Sequence, residues 1–488
     1  MTDIDHSHPI PLYYQLKILI KEQIESGKLR PGDKIPTETE LCERYKLSRT
    51  PVRQALIALV NEGLLIRKAG RGTFVSPIRV EKVILQVIVP DTRWQWPLEE
   101  AARLLNRDHP EVMLELEFSV TPLYDLHDHL SMVVAQGQAP DISVIDSVWV
   151  AEFAHRRYLY PIDELDSDWV VDLGKSIYPS LLEINSHQGI LYAVPTTADA
   201  TVLWFRRDWL SSEGSSPPRT WADLLSIGRK FQSPEARARY GIGSYPLAFV
   251  GGHAGGETTT YQLLPFIWAA GGDLIFQEKV TIDSEATRAA LTFLKDLVHS
   301  EKLTSPDAVD QPWDGALHAF AKGEVVMAFG GTYENYLIRH AANWDMVNFM
   351  DRVGFVPLPA GPGGVPTALT GGMTYGIYRQ SRHPMIALAV LQQMLTPEIL
   401  KPFSLRTGQI SANKAVTEVI GTDEDGFLGR TAFLFDSARS RPSLPTYEQV
   451  SLQFRLMIET CLTDQISVEG ALHRAAERIS GITGLPIA

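Results

Sequence analysis

The sequence predicts a multidomain protein, with a small α+β domain at its start and a larger α/β domain behind it. Its 488 residues are too many for one ordinary domain. Within residues 1–77, capped helical patterns precede two short strand patterns, whereas strands alternate with amphipathic helices beyond residue 83. We therefore predict a head at 1–77, a linker at 78–82 and a body at 83–488.

Two short helices form the centre of the predicted head. Thr37 is placed to cap a helix that starts at Glu38, with Glu40 in the capping-box position. Ser48 is placed to cap the next helix, which has Pro51 in its first turn. The apolar residues of this second helix share one face: Val52, Ala55, Leu56, Leu59 and Val60. Two helices joined by a short turn predict a helix-turn-helix.

Two short strand patterns follow the helices, at residues 64–67 and 73–75. They are joined by Lys68–Gly72, in which Gly70 and Gly72 flank Arg71. Glycine allows the tight backbone turn that a projecting loop between paired strands needs. The loop is therefore interpreted as a wing beside the helix-turn-helix.

The polar residues of this head are of the types that contact DNA. Arginine suits guanine edges and phosphates, Thr50 and Gln54 suit base edges, and Arg71 suits a narrow minor groove. Backbone N–H groups at helix starts suit phosphate. The predicted DNA contacts are Thr37, Glu38, Ser48, Arg49, Thr50, Arg53, Gln54, Arg67, Gly70, Arg71 and Gly72. The alternative is a small solvated helical hairpin that carries basic residues.

Four segments of the head, P-T-E-T-E-L, S-R-T-P-V-R-Q-A-L, E-G-L-L and G-R-G-T-F-V, resemble the GntR-type winged-helix regulators. The resemblance implies an operator on double-stranded DNA. Thr39 stands where that family usually has an arginine, so one contact expected of the family is missing.

Charge is divided unevenly along the chain. Residues 1–77 hold 12 Lys+Arg and 9 Asp+Glu, a net charge of +3. The whole chain holds 45 Lys+Arg and 58 Asp+Glu, so the residues after 77 hold 33 Lys+Arg and 49 Asp+Glu, a net charge of −16. A basic head on an acidic body fits a local nucleic-acid footprint, although acidic bodies are common in any case.

The composition also bears on the compartment. Cys42 and Cys461 match no metal spacing or disulfide framework. The N-terminus has no signal-peptide pattern, and no apolar run is long enough to span a bilayer. We expect a soluble, cytoplasmic protein without a membrane partner.

In the body, strand patterns that alternate with helices predict a parallel sheet with right-handed crossovers. The segments GQAPDISVIDSVWVAEFAHRRYLYPIDEL, GILYAVPTTADATVLWFRRDWL and PPRTWADLLSIGRKF resemble family 1 solute-binding proteins of the maltose-binding type, and weaker likeness extends from about 83 to 488. Arg206 and Arg207 replace the usual Asn-Lys of that family.

The resemblance implies a two-lobed α/β periplasmic-binding-protein-like (type II) body with its ligand in the cleft. The chain is expected to leave the first lobe near 190–205 and to return near 325–375. The C-terminal helices are expected to pack mainly against the second lobe.

Relatives of this type bind oligosaccharides and other solutes, which are held by aromatic faces and planar polar groups. The candidate ligand residues are Trp94, Asp146, Asp199, Trp268, Gly331, Tyr333 and Gly372. The alternative for a tryptophan is the core, and for an aspartate a helix cap. Trp204 is assigned to a hinge strand and Arg406 to the solvated surface.

No cofactor, metal or catalytic site is predicted. His127 and His129 are two residues apart, so they point to different sides of a helix. His6, His8 and His155 suggest no better metal site. No nucleophile elbow, zinc motif or phosphate loop occurs.

The combined hypothesis is a non-enzymatic, homodimeric transcription regulator controlled by a small solute, most simply a sugar. The main alternative joins the same head to an aminotransferase-like body that holds pyridoxal phosphate, but Lys295 and Lys322 lie in ordinary helical surroundings. A glycosidase-like body with two facing carboxylates stays open. A transport receptor is disfavoured because no signal peptide is seen.

Overall fold

The computed structural model describes residue 4 and residues 10–76, 81–423, 426–435 and 438–488. The chain divides into two compact units, Met1–Val83 with Asn106–Glu115, and Ile84–Leu105 with Leu116–Ala488. Most of the predicted linker, residues 78–80, and the preceding Pro77 lie outside the described residues, as do His6 and His8. The predicted domain boundaries therefore stay a prediction.

The head contains three helices and a two-stranded hairpin: α1 Leu12–Glu25, α2 Glu38–Tyr45, α3 Arg49–Asn61, β1 Leu65–Lys68 and β2 Gly72–Val75. The strands are antiparallel, with Leu65 opposite Val75. Gly63 follows α3 with φ +74°, a left-handed conformation that suits glycine. This confirms the helix-turn-helix and the wing.

One feature of the head was not predicted. Residues 32–35 run along β2, where Ile35 N donates to Thr73 O at 3.0 Å and Val75 N to Asp33 O at 2.9 Å. Lys34 lies opposite Phe74 in an antiparallel bridge. The polar Gly-Asp-Lys sequence gave no strand signal, because the pairing depends on long-range hydrogen bonds rather than on local pattern.

The body contains most of the elements. Its strands are β3 Glu81–Val89, β4 Val112–Val120, β5 Ile142–Asp146, β6 Ser186–His187, β7 Ile190–Leu191, β8 Ala193–Pro195, β9 Thr197–Arg206, β10 Leu247–Ala248, β11 Ile275–Phe276, β12 Lys279–Val280, β13 Met327–Gly331, β14 Val353–Val356, β15 Leu369–Gly371, β16 Met373–Ile377, β17 Ile410–Ser411 and β18 Arg439–Ser440. Its helices are α4 Gln95–Asp108, α5 Leu123–Ala135, α6 Val150–His155, α7 Ile162–Leu165, α8 Ser167–Ser176, α9 Pro179–Ile184, α10 Arg207–Ser212, α11 Trp221–Gln232, α12 Pro234–Tyr240, α13 Glu257–Trp268, α14 Glu285–Val298, α15 Gly315–Ala321, α16 Asn335–Ala342, α17 Met346–Arg352, α18 Pro384–Met394, α19 Pro397–Thr407, α20 Lys414–Asp423, α21 Gly426–Arg430, α22 Ala432–Phe435, α23 Tyr447–Leu462 and α24 Val468–Thr483.

The first lobe is built on a sheet of order β4-β3-β5-β16-β8. β3 and β5 are parallel, but β16 is antiparallel to both β5 and β8. The prediction of a parallel sheet is therefore wrong for β16, which lies between β5 and β8. β16 reaches the sheet from the second lobe, so its direction is set by the return of the chain and not by a local strand–helix–strand unit.

The second lobe is built around β9. β13 and β15 flank it, β10 and β18 lie further out, and β14 and β17 also pair with it. The chain leaves the first lobe between β8 and β9, at residue 196, and returns between β15 and β16, at Gly372. Both crossings fall where the family resemblance implied.

The C-terminal helices belong mainly to the core of the second lobe, as expected. Val450, Phe454 and Ile458 of α23 and Leu472 of α24 are fully buried there. The first residue of α23, Tyr447, instead packs with the core of the first lobe. α23 therefore contributes to both lobes.

Candidate functional site

The start of α3 presents the polar face that the sequence predicted. Arg49, Thr50, Arg53 and Gln54 are exposed. Their apolar neighbours on the same helix, among them Val52 and Leu56, are buried in the head core. The helix thus separates a polar outer face from an apolar inner one.

The two predicted helix caps differ. Thr37 Oγ1 accepts from Glu40 N at 3.3 Å, while Glu40 accepts from Thr37 N at 2.6 Å, and this pair lowers the pKa of Glu40. Ser48 lies at the cap position of α3, but its side chain makes no capping hydrogen bond. The capping hydrogen bond predicted for the Ser48 hydroxyl is therefore wrong, although Ser48 has the extended backbone of a cap residue.

Glu38 links three parts of the predicted DNA surface. Its Oε2 lies 3.1 Å from Arg53 Nη2 of α3, and its Oε1 lies 3.8 Å from Arg67 Nη2 of the wing strand β1. One carboxylate on α2 is thus paired with two exposed cations.

The wing turns as its glycines predicted. Gly70 and Gly72 have φ +70° and +118°, and Arg71 N donates to Lys68 O at 3.0 Å. The side chain of Arg71 is exposed at this turn. An arginine is therefore presented at the end of the hairpin.

In the body, Arg441 lies at the centre of a polar cluster that joins the lobes. It follows β18 and is 4% exposed. Its Nη1 donates to Glu257 Oε1 at 2.9 Å, and its Nη2 lies 3.8 Å from Asp146 Oδ1. Asp146 ends β5 of the first lobe and Glu257 begins α13 of the second. One guanidinium thus contacts carboxylates of both lobes.

Asp199 on β9 belongs to the same cluster. Its Oδ1 accepts from Tyr261 Oη at 2.9 Å. Burial raises the pKa of Asp199 to about 6, against the opposing attraction of Arg441. Burial likewise raises the pKa of Asp146. Both carboxyls therefore lie in a poorly solvated site.

Glu257 connects the cluster to α23. It accepts from Tyr447 Oη and from Ser451 Oγ, each at 2.5 Å. Tyr333 packs edge-on against Tyr261, with ring centroids 5.8 Å apart. Carboxylates, phenols and a guanidinium around aromatic faces are a set that can hold a ligand rich in hydroxyls.

Residues 94–401 match the family described as bacterial extracellular solute-binding protein. The chain belongs to this family. A probable ABC transporter-binding protein of Deinococcus radiodurans is 26% identical over 377 residues, which cover 72% of this chain and 81% of that protein. The maltose-bound structure of T. maritima MalE3 is similar with a TM-score of 0.69 and 26% identity, and the match covers 82% of this chain and 99% of that one.

The head has its own relatives. Residues 12–75 match the bacterial regulatory proteins of the gntR family. The HTH-type transcriptional repressor NagR of Bacillus subtilis is 49% identical over 82 residues, which are 17% of this chain and 34% of that protein. A GntR head therefore precedes a solute-binding body in one chain.

Within this solute-binding body, both candidate tryptophans are buried. Trp94 is 4% exposed and packs against Tyr375 and Phe403. Trp268 donates from Nε1 to Asp273 at 2.8 Å, and the guanidinium of Arg439 lies 4.3 Å from its ring centroid. Both rings are therefore buried in this conformation.

The two candidate glycines have steric roles. A Cβ on Gly331 would lie 2.5 Å from the Tyr333 ring and 2.8 Å from the Tyr261 ring. Gly372 has φ +151°, and a Cβ there would lie 2.1 Å from Thr197 O. Gly372 is therefore required where the two crossing segments touch.

The structure brings together Asp146, Asp199 and Tyr333, and it adds residues that sequence reasoning missed. The missed residues are Glu257, Tyr261, Arg441 and Tyr447. Arg441 lies in a Ser/Pro-rich stretch that has the composition of a solvated loop, so no local pattern marked it. The Gly-Gly pair just before Glu257 was the only signal nearby.

Within the described parts of the chain, no helix is long and apolar enough to cross a membrane. Among those same residues, no group of three or more His, Cys, Asp or Glu side chains is placed to hold a metal ion. His127 instead lies 3.0 Å from Glu152 and packs edge-on against Trp149.

Proposed function

We propose that this protein is a transcriptional regulator whose operator affinity is controlled by a carbohydrate bound between the two lobes. The observation that carries the proposal is the Arg441 cluster, which joins both lobes in a chain that also has a GntR head. Support for a carbohydrate comes from the maltose-bound similar structure and from the hydroxyl-binding groups of the cluster.

The donor capacity of the cluster is not fully used. Arg441 Nε is buried, and within the described residues it has no hydrogen-bond partner. A buried donor without a partner costs on the order of 1–3 kcal/mol. A ligand oxygen that enters between the lobes would accept a hydrogen bond from this group, and this hydrogen bond would favour ligand binding.

The proposed mechanism couples lobe movement to DNA. A solute that contacts both lobes favours their closed arrangement, and closure changes the spacing of two heads in a homodimer. Dimerisation is proposed because a single small head has modest affinity and paired half-sites are the usual remedy. A coupling of about 1–3 kcal/mol changes operator affinity roughly 5- to 150-fold.

We further propose that the protein acts in the cytoplasm and catalyses no reaction. Both matching families are binding families. Lys295, a candidate lysine of the aminotransferase alternative, forms an ion pair with Asp464. A lysine held in such an ion pair is a poor Schiff-base nucleophile, because the hydrogen bond to Asp464 raises its pKa.

The DNA half of the proposal is tested by selecting genomic fragments on the purified full-length protein. We expect a small set of enriched fragments with a shared motif. Arg49→Ala with Arg71→Ala is expected to abolish the enrichment without changing the melting temperature of the body. Enrichment no better than with random fragments would refute the proposed DNA-reading role.

A further inference from the structure

The second lobe has an open hollow of about 390 Å³ that is separate from the Arg441 cluster. It is lined by Arg207, Phe355, Gly429, Arg430 and Phe433. Arg207 begins α10, Phe355 lies on β14, and the other three come from α21 and α22. The volume lies within the usual range of small-molecule sites, roughly 300–1,000 Å³.

Two arginines line this hollow. Arg207 Nη1 donates to Met350 O at 2.8 Å, which fixes one side of its guanidinium. Burial and the neighbouring positive charge of Arg430 lower the pKa of Arg207, against the attraction of the exposed Asp351. Both cations line the same hollow, and an anion bound between them would reduce the repulsion between their charges.

The arginine pair Arg206-Arg207 departs from the sequence usual in solute-binding relatives, and the two residues have different surroundings. Arg206 is buried, bonds to Asp208 at 3.0 and 2.6 Å, and lies 3.8 Å from the Trp209 ring centroid. Its positive charge is compensated by Asp208 within the second lobe. Of this pair, it is Arg207 that lines the hollow, so the second arginine of the pair adds a cation there beside Arg430.

An aromatic face lies beside the two cations. The rings of Phe355 and Phe433 are stacked, with centroids 6.3 Å apart and planes 13° from parallel. Phe433 is 51% exposed. A half-exposed aromatic ring offers an apolar surface to a flat or puckered ring.

We infer that this hollow binds a small phosphate monoester that carries a ring, such as a hexose phosphate. The phosphate dianion would match the two guanidiniums, which bind phosphate through paired hydrogen bonds. The C–H face of the ring would pack on Phe433. This site is independent of the solute proposed for the cleft between the lobes.

The test is calorimetric titration of the full-length protein with glucose 6-phosphate, glucose and inorganic phosphate. We expect glucose 6-phosphate to bind more tightly than either other probe. Arg430→Gln removes an exposed cation, and Phe433→Ala removes a half-exposed ring, so neither change should prevent folding. Each is expected to weaken glucose 6-phosphate binding about tenfold or more.

Two matched controls complete the experiment. Arg382→Gln removes an exposed arginine elsewhere on the body and should leave binding unchanged. Asp199→Asn alters the cleft between the lobes and should also leave glucose 6-phosphate binding unchanged. The inference is overturned if wild-type protein binds no glucose 6-phosphate at millimolar concentration, if Arg430→Gln binds it equally well, or if inorganic phosphate binds as tightly. Loss of binding in Asp199→Asn alone would place the ligand in the cleft and would equally overturn it.

Discussion

At the residue scale, the charge balance around Arg441 is the main feature of the body. One guanidinium serves Asp146, Asp199 and Glu257, so the cluster has more carboxylates than cations. Burial raises the pKa of both aspartates, which shows that Arg441 compensates them only in part. Polar clusters of this kind usually limit stability and belong to functional sites.

Asp199 should therefore make stability depend on pH. Its folded-state pKa of about 6 lies above its ordinary value of 3.8, so the folded state holds a proton that the unfolded state has lost. Stability then falls as pH rises from about 4 to 6, by at most about 3 kcal/mol. Asp199→Asn should remove this loss, because an amide does not titrate in this range. Its oxygen can still accept the hydrogen bond from Tyr261, so the local structure should be kept.

The measurement is the melting temperature of both proteins at about pH 4 and at about pH 7, which bracket the fall in stability expected between about 4 and 6. Wild type should lose more stability than Asp199→Asn over this interval. Parallel changes in the two proteins would show that Asp199 does not titrate there.

The Glu38 ion pairs give a second residue-scale prediction, on the head. Arg53→Ala should weaken operator binding by about 1–3 kcal/mol if Arg53 contacts a base. Glu38→Gln releases Arg53 and Arg67 and removes a negative charge, so it should strengthen binding and steepen its dependence on salt. Lys21→Ala, on α1 outside the predicted contact set, serves as the control.

The check is the operator affinity of each variant across a salt series. Weaker binding by Glu38→Gln would mean that Glu38 orients the arginines for DNA instead of competing with it.

At the element scale, the two helix starts of the head offer a matched pair. Thr37→Ala removes a capping hydrogen bond from α2 and should cost about 1 kcal/mol. Ser48→Ala removes no capping hydrogen bond from α3 and should cost less. Hydrogen exchange of the first-turn amides measures both, and equal losses of protection would contradict the assigned caps.

The crossing between the lobes gives the next prediction. Gly372→Ala places a Cβ 2.1 Å from Thr197 O and forces a backbone shift, so it should destabilise the body by more than about 3 kcal/mol. Gly363→Ala, at φ +74° with open space around it, should cost only about 1–2 kcal/mol. Urea unfolding of both variants separates a steric clash from backbone strain, and equal costs would remove the steric role of Gly372.

The elements also show what sequence can predict. The capping box at Thr37, the apolar face of α3 and the Gly-Arg-Gly turn were predicted because each depends on residues within one or two turns of chain. Local sequence could not predict the direction of β16 or the strand pairing of residues 32–35, because each depends on a partner far along the sequence.

The same limit applies to the candidate site. Asp146 and Asp199 were found because they end a strand or lie beside a motif. Arg441 was not, because it enters from a loop almost 300 residues after Asp146 in the chain. Trp268 was chosen because it sits at a motif position that lines the cleft in relatives, and Trp94 because it follows the first strand of the body. The packing of Trp94 against Tyr375 and of Trp268 against Arg439 depends on residues far along the chain, so no local pattern predicted it.

At the scale of the whole molecule, a GntR head and a solute-binding body occupy one chain. The proposed function requires that solute binding to the body and operator binding to the head be linked by a coupling free energy. Such coupling is reciprocal, because a solute that alters operator affinity must have its own affinity altered by the operator to the same extent.

The most direct test is the affinity of the full-length protein for its selected operator, with and without a sugar that raises its melting temperature. The account predicts a change in operator affinity of roughly 5- to 150-fold, in either direction. It also predicts that the change is lost in a variant of the cleft that no longer binds the sugar. Equal operator affinity with and without a bound sugar would contradict it.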